Sequence, residues 1–286
     1  MKNQLKTFFL LGVLSALLVA LGGTMGPGAL YASLGIALLM NLGAYFFSDK
    51  IVLRMHHARE VDPREQPWLH ETVAELAQKA QIPMPKVYII PEMHANAFAT
   101  GRNPAHAAVA VTEGILRVLD RRELRGVLAH ELAHVKNRDI LVASIAAMLA
   151  AAITYIAHMF SSLLFFTGGG GQREDEGGGG NLVAGILMMV LAPIAATLVQ
   201  LGISRSREYL ADETGARLSG DPEALASALR KLESAAQVVP GSSDPATASL
   251  FIVSPLLSGE TLMNLFSTHP STQQRVERLR ALRLGA

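Results

Sequence analysis

A mainly α-helical membrane protein, with four transmembrane helices and a small α+β domain outside the bilayer, is the fold class this sequence predicts. Three observations support it. Half of the 286 residues are hydrophobic and only 17% are charged, with a mean hydropathy of +0.30, too apolar and charge-poor for an ordinary soluble domain. Four long segments are nearly free of charge, and each can cross a hydrocarbon core about 30 Å thick. The remaining residues collect in two polar stretches that carry short strand-like runs and helix-periodic runs.

The first span, Leu5 to Leu21, follows Lys2 and Lys6 and so has the flanks of a signal peptide. A turn of Gly and Pro leads at once into a second full-length span, Leu30 to Phe47, so residues 1–48 read as a retained helical hairpin. Residues 49–139 form the first polar segment. In it Lys86 to Ile90, Ala97 to Thr100 and Ala107 to Thr112 read as short strands. Asp120 with Glu123 makes a capping-box-like helix start, and Leu124, Val127, Leu128 and Val135 then recur at helical spacing.

Residues 140–203 form a second hairpin, Ile140 to Phe166 and Leu182 to Ile203, joined by a Gly-rich loop over 168–180. No strand precedes that loop and no Lys-Ser/Thr signature follows its glycines, so it reads as a flexible external linker and not a phosphate cradle. Residues 204–286 form the second polar segment and end in a helix carrying Val276, Leu279 and Leu282. Basic residues gather at Lys2, Lys6, Lys50, Arg54, Lys136, Arg138, Arg205 and Arg207, whereas the outer turns are poor in them. The positive-inside rule then places both termini and both polar segments in the cytoplasm. The absence of cysteine excludes disulfides and thiolate ligands and fits a reducing compartment. A net charge of +1 gives no reason to expect a nucleic-acid partner.

The first polar segment ends in His130-Glu131-Leu132-Ala133-His134, an HExxH sequence. Two histidines four apart on a helix project from one face, so their ring nitrogens can converge on one tetrahedral metal. Glu131 points about 100° around the axis and can reach a water at that metal as general base. An HExxH arises by chance often enough that a third ligand is needed to support the reading. The second hairpin returns the chain to the same membrane face at about Ile203, and Glu208 and Asp212 follow there one helical turn apart. Glu208 is the candidate third ligand, and Asp212 can accept the second N–H of a ligating histidine. The alternative is a solvated helix face paired with Arg205 and Arg207; the return of the chain favours the ligand reading. Nitrogen and oxygen ligands without sulfur favour Zn2+, one per chain.

Five blocks carry a resemblance: Ile82 to Tyr88, Asn96 to Gly101, Glu123 to Asp139, Ser204 to Asp212, and Ser267 to Thr272 with Arg275. The chain resembles the HtpX family of membrane-embedded zinc metalloproteases, gluzincins related to the CAAX prenyl-protein peptidase. The resemblance implies a zincin-like metalloprotease domain with a small sheet beside the active-site helix, and His130, His134 and Glu208 as metal ligands. It implies that Asn96 and Ala97, with Phe98 beside them, hold an extended peptide, and that His269 and Arg275 approach the scissile carbonyl. It further implies proteolytic quality control of damaged membrane proteins in a bacterial inner membrane under stress, with polypeptides and the lipid bilayer as partners. The rival readings are a catalytically inactive scaffold or chaperone-like protein and a transporter with a structural metal. His56, His57, His70, His94 and His106 lack a partner at ligand spacing and read as surface or interface residues. Asn41 reads as an interhelical hydrogen-bonding residue, and His158 as an interfacial or helix-contact residue.

Overall fold

The computed structural model describes residues 26–145, 205–239, 252 and 270–282, together with residues 11, 12, 15, 16, 19 and 23. Helix α1, Pro27–Met55, starts at a proline directly after Gly26, whose φ of 106° is costly for any residue with a side chain. Its 29 residues have a hydropathy of 1.6 over the most apolar stretch, and among the described residues it is the one helix long and apolar enough to cross a membrane. Tyr31, Leu34, Leu38, Leu39, Phe46 and Phe47 project outward, while Ser33, Ala37, Ala44 and Ser48 are buried. Each large apolar side chain left in water forgoes about 1.5–3 kcal/mol, so the outward face calls for apolar surroundings. The expected second span, Leu30 to Phe47, lies within α1. The expected spans over 5–21, 140–166 and 182–203 fall wholly or mostly outside the described residues, as do the loop 168–180 and His158. Asn41 Nδ2 donates to Ser15 Oγ at 2.7 Å, the interhelical contact anticipated for it.

The polar segments build one four-stranded mixed sheet in the order β1-β2-β4-β3. Strand β1, Arg59–Glu60, runs antiparallel to β2, Lys86–Ile90; β2 is parallel to β4, Ala107–Thr112; and β3, Ala97–Gly101, pairs antiparallel with β4 as the outer strand. The expected strands match these within one residue. The two exposed residues of β1 are too few to show an alternating pattern. Both faces of the sheet are covered, so β3 and β4 are buried along their whole length. Val87, Ile89, Ala97, Ala99, Val109 and Val111 join the main core on one face. Ile90, Phe98, Ala108 and Ala110 meet Val52 and Leu53 of α1 on the other.

Helices α2, Pro67–Ala80, and α3, Glu113–Val118, flank the sheet. Helix α4, Arg121–Lys136, begins with the anticipated capping box: Glu123 N donates to Asp120 Oδ1 at 2.8 Å and Asp120 N to Glu123 Oε2 at 3.0 Å. It is the centre of the domain, packed by β3, α2, α5 (Arg205–Ser219) and α6 (Pro222–Val238). Helix α7, Thr272–Ala281, closes on α5 and α6. The Glu123 carboxylate also accepts from Ser227 Oγ and Lys231 Nζ of α6, each at 2.7 Å, so the cap of α4 doubles as a tie to α6.

Candidate metal centre

Helices α4 and α5 approach closely because Gly215 has no side chain. A Cβ there would lie 2.8 Å from both the Cα and the N of His130, backbone atoms that cannot rotate away. The approach brings three side chains together. His130 Nε2 and His134 Nε2 are 3.2 Å apart, and each is 3.7 Å from a Glu208 oxygen. Tetrahedral ligands at about 2.1 Å from a zinc ion stand about 3.4 Å from one another, so the trio fits such an ion without rearrangement. Among the described residues it is the one group that satisfies a metal-ligand spacing. Gly215→Ala is expected to push α5 outward, at a cost of about 1–3 kcal/mol in stability. It should weaken metal binding measured by chelator competition while Gly35→Ala, which meets open space, leaves it unchanged.

Each ligand imidazole is backed by a carboxylate. His130 Nδ1 lies 2.9 Å from Asp212 Oδ1, the partner expected from the sequence. Asp212 is gripped in turn by Arg275, whose Nε and Nη2 donate at 2.9 and 2.7 Å, and whose Nη1 donates to Ile252 O at 2.7 Å. Burial pushes the Asp212 carboxyl up, yet Arg275, aided by His130, holds it down at about 2. The Asp212 carboxylate therefore stands on the Nδ1 side of His130, the place from which an outer carboxylate orients a ligating imidazole with Nε2 toward the metal.

His134 Nδ1 lies 3.1 Å from Asp139 Oδ2, and Arg207 Nε stands 3.9 Å from the same oxygen. Burial opposes the His134 imidazolium, but Asp139, with Glu208 and Glu131, pushes it up to about 10. A ligating imidazole is not doubly protonated, so metal loading releases a proton and is opposed by acid. No sequence-level reading singled out Asp139. It follows the end of α4, and Arg138, at φ 57°, turns the chain back so that Asp139 N reaches His134 O at 3.2 Å. An acid five residues beyond the second histidine was the available signal. Asp139→Asn is expected to lower metal affinity about 10–100-fold, the usual cost of an outer carboxylate, with the fold intact by circular dichroism.

Glu131 is 5% exposed, and its Oε2 accepts from Ala99 N at 2.9 Å. Burial raises its carboxyl, against the opposing pull of His130 and His134. The contact also shows which way β3 faces. Thr112 N donates to Asn96 O at 2.9 Å, and antiparallel alternation then turns the N–H and C=O of Ala97 and Ala99 away from β4, toward the Glu131 side. Ala97 is thus on the outer edge of β3, with which no further strand pairs among the described residues.

The other anticipated substrate contacts sit differently. The Asn96 main chain pairs with Thr112, and its Oδ1 accepts from Ile252 N at 3.2 Å. The Phe98 side chain faces away from the metal centre, packed on Val52, Leu53, Ala108 and Ala110, with the His56 ring 5.5 Å away. Arg275 is 1% exposed and engaged with Asp212, its Nη2 3.5 Å from His130 Nε2. His269 lies outside the described residues. Two histidines expected at the surface or an interface, His56 and His94, are buried, with Nδ1 atoms 3.2 and 2.8 Å from the two oxygens of Glu92.

The chain is similar to known proteins over most of its length. The description of peptidase family M48 matches residues 63–283. A Protease HtpX homolog from Sulfurihydrogenibium sp. (strain YO3AOP1) is 51% identical over 289 residues, covering 99% of this chain and 97% of the relative. Another from Aquifex aeolicus (strain VF5) is 55% identical over 267 residues, covering 93% and 88%. A third, from Pelotomaculum thermopropionicum (strain DSM 13744 / JCM 10971 / SI), is 53% identical over 282 residues, covering 98% and 99%. The crystal structure of S. mikatae Ste24p shares the fold at a TM-score of 0.50 and 17% identity over 97% of this chain, which spans 65% of that longer one. With the family match over most of its length and full-length relatives at about half identity, the chain belongs to peptidase family M48 and is a metalloprotease.

Proposed function

We propose that the chain is a zinc-dependent membrane endopeptidase that hydrolyses peptide bonds of damaged or misfolded membrane proteins. In this reading four spans anchor it in a bacterial inner membrane, with the metal centre and both termini cytoplasmic. The observation that carries the reading is the meeting of His130, His134 and Glu208 beside a buried Glu131 that is itself tied to the outer strand β3. A zinc ion held by the trio supplies Lewis acidity, lowering the pKa of a water toward about 7 and polarising the scissile carbonyl. Glu131 accepts the proton of the attacking water and returns it to the leaving amine. The Ala99 N–H holds one oxygen of that carboxylate, so the base and the strand edge keep a fixed register.

Asp212 and Asp139 fix the two ligand imidazoles, and Arg275 positions Asp212. His269 stabilises the developing oxyanion, the role its family resemblance implies. An extended substrate pairs with the Ala97 main chain, the Ala99 N–H being engaged with Glu131, and such pairing reads backbone and not side chains and so suits substrates of many sequences. The outward apolar face of α1 supports the membrane setting. The test is digestion of an unfolded soluble protein by the full chain in detergent. Cleavage should vanish on chelation and return with stoichiometric Zn2+; persistent or chelator-insensitive cleavage would overturn the assignment.

A further inference from the structure

The contacts of β3 define its direction relative to the membrane helix. At one end Phe98 packs on Val52 and Leu53, near the end of α1 that leaves the bilayer. Beyond the other end the Arg102 guanidinium lies 5.4 Å from the Phe46 ring. Between them Thr100 Oγ1 is 2.7 Å from Ser144 Oγ, within helical residues 140–145 at the start of the third expected span. From Val52 back to Phe46 α1 rises about 9 Å, and from Phe98 to Arg102 the chain advances about 13 Å. From Phe98 to Arg102, β3 therefore runs in the sense that leads from the Val52 end of α1 back toward its apolar stretch.

On the membrane reading the bilayer surface falls where the apolar stretch of α1 gives way to charge. There the Arg102 guanidinium lies 5.4 Å from the Phe46 ring and Lys50 Nζ 5.5 Å from the Phe47 ring. Long basic side chains at such a boundary keep their stems on apolar surface and their charged heads in water. Ala99, whose N–H meets Glu131, is three residues from Arg102, a separation of about 10 Å in extended chain.

We propose that β3 is a guide from the membrane surface to the metal centre, so that the substrates are polypeptide stretches emerging directly from a transmembrane helix, cut at a short fixed distance from the bilayer. The proposal rests on the membrane-endopeptidase reading and narrows its substrate class. A strand paired with the outer edge of β3 advances at the same rise per residue as β3 itself, whichever way it runs. An extended tail leaving the level of Arg102 thus reaches Glu131 after about three residues. The number is set by β3 and not by substrate sequence.

The test uses the full zinc-loaded chain in lipid vesicles with a single-span substrate whose exposed tail is a uniform Ala-Ser-Gly-Thr repeat, so that neighbouring repeats present the same side chains. Cleavage products are mapped by mass spectrometry for two versions, the second with a span lengthened by several leucines. The expected first cut lies about three residues from the bilayer boundary in both, at the same count. Cuts scattered along the tail, or at a constant count from its free end, overturn the proposal. The same repeat without a span, in solution, separates the two readings. If it is cut while the tethered tail shows no fixed distance, only the guide fails; if neither is cut, the endopeptidase reading fails and the guide with it.

Discussion

Glu131→Gln protein is expected to keep its full complement of metal and to lose proteolysis by about 10²–10⁴-fold, the usual contribution of a general base. The three converging ligand atoms belong to His130, His134 and Glu208, so replacing the Glu131 carboxylate leaves the ligand set untouched. The amide is nearly isosteric and its carbonyl oxygen can still accept from Ala99 N, which preserves the strand register. What it cannot do is take a proton from water. Metal content by elemental analysis and turnover of an unfolded protein are read on the same sample. Parent-like turnover by metal-loaded protein would remove Glu131 from the chemistry.

Glu208→Ala is expected to lose both metal and activity, and by more than the about 10–100-fold that removing an outer carboxylate such as Asp212 or Asp139 costs. It removes one of three ligands and leaves two imidazoles on α4 with nothing opposite them. Titration against a chelator of known affinity ranks Glu208→Ala, Asp212→Asn and Asp139→Asn. Greater metal loss in Asp212→Asn than in Glu208→Ala would reverse the ligand assignment. A buried Arg275 deprived of its partner charge also destabilises the fold, by about 3–5 kcal/mol for a broken buried pair. The ranking is therefore made on folded protein, verified by its thermal transition.

What the sequence disclosed was mostly local. Helical spacing and a capping box located α4, and three β-branched or alternating runs located β2, β3 and β4. The HExxH spacing located two of the three converging side chains, and the expected return of the chain after residue 203 pointed to Glu208 and Asp212. Three features depended on tertiary placement. Asp139 reaches His134 only because Arg138 takes a left-handed conformation that no spacing rule announces for an arginine. Phe98 turns to the α1 side because β3 is covered on both faces, and a strand read alone does not say which face holds the metal. Arg275 joins Asp212 across 63 positions of sequence, and its burial converts a residue expected beside the substrate into the anchor of the His130 partner.

The centre is also divided in time. His130 and His134 precede the stretch 140–203, whereas Glu208 follows it and the Arg275 anchor comes later still. At a synthesis rate of about 5–20 residues per second, several seconds separate the HExxH helix from its third ligand as the chain leaves the ribosome. During that interval the nascent chain carries the base and two imidazoles but no complete ligand set. In the proposed reading, with 140–203 a membrane hairpin and Glu208 the third ligand, hydrolytic capacity arrives last, after that hairpin has been made, when the chain is already in place in the membrane.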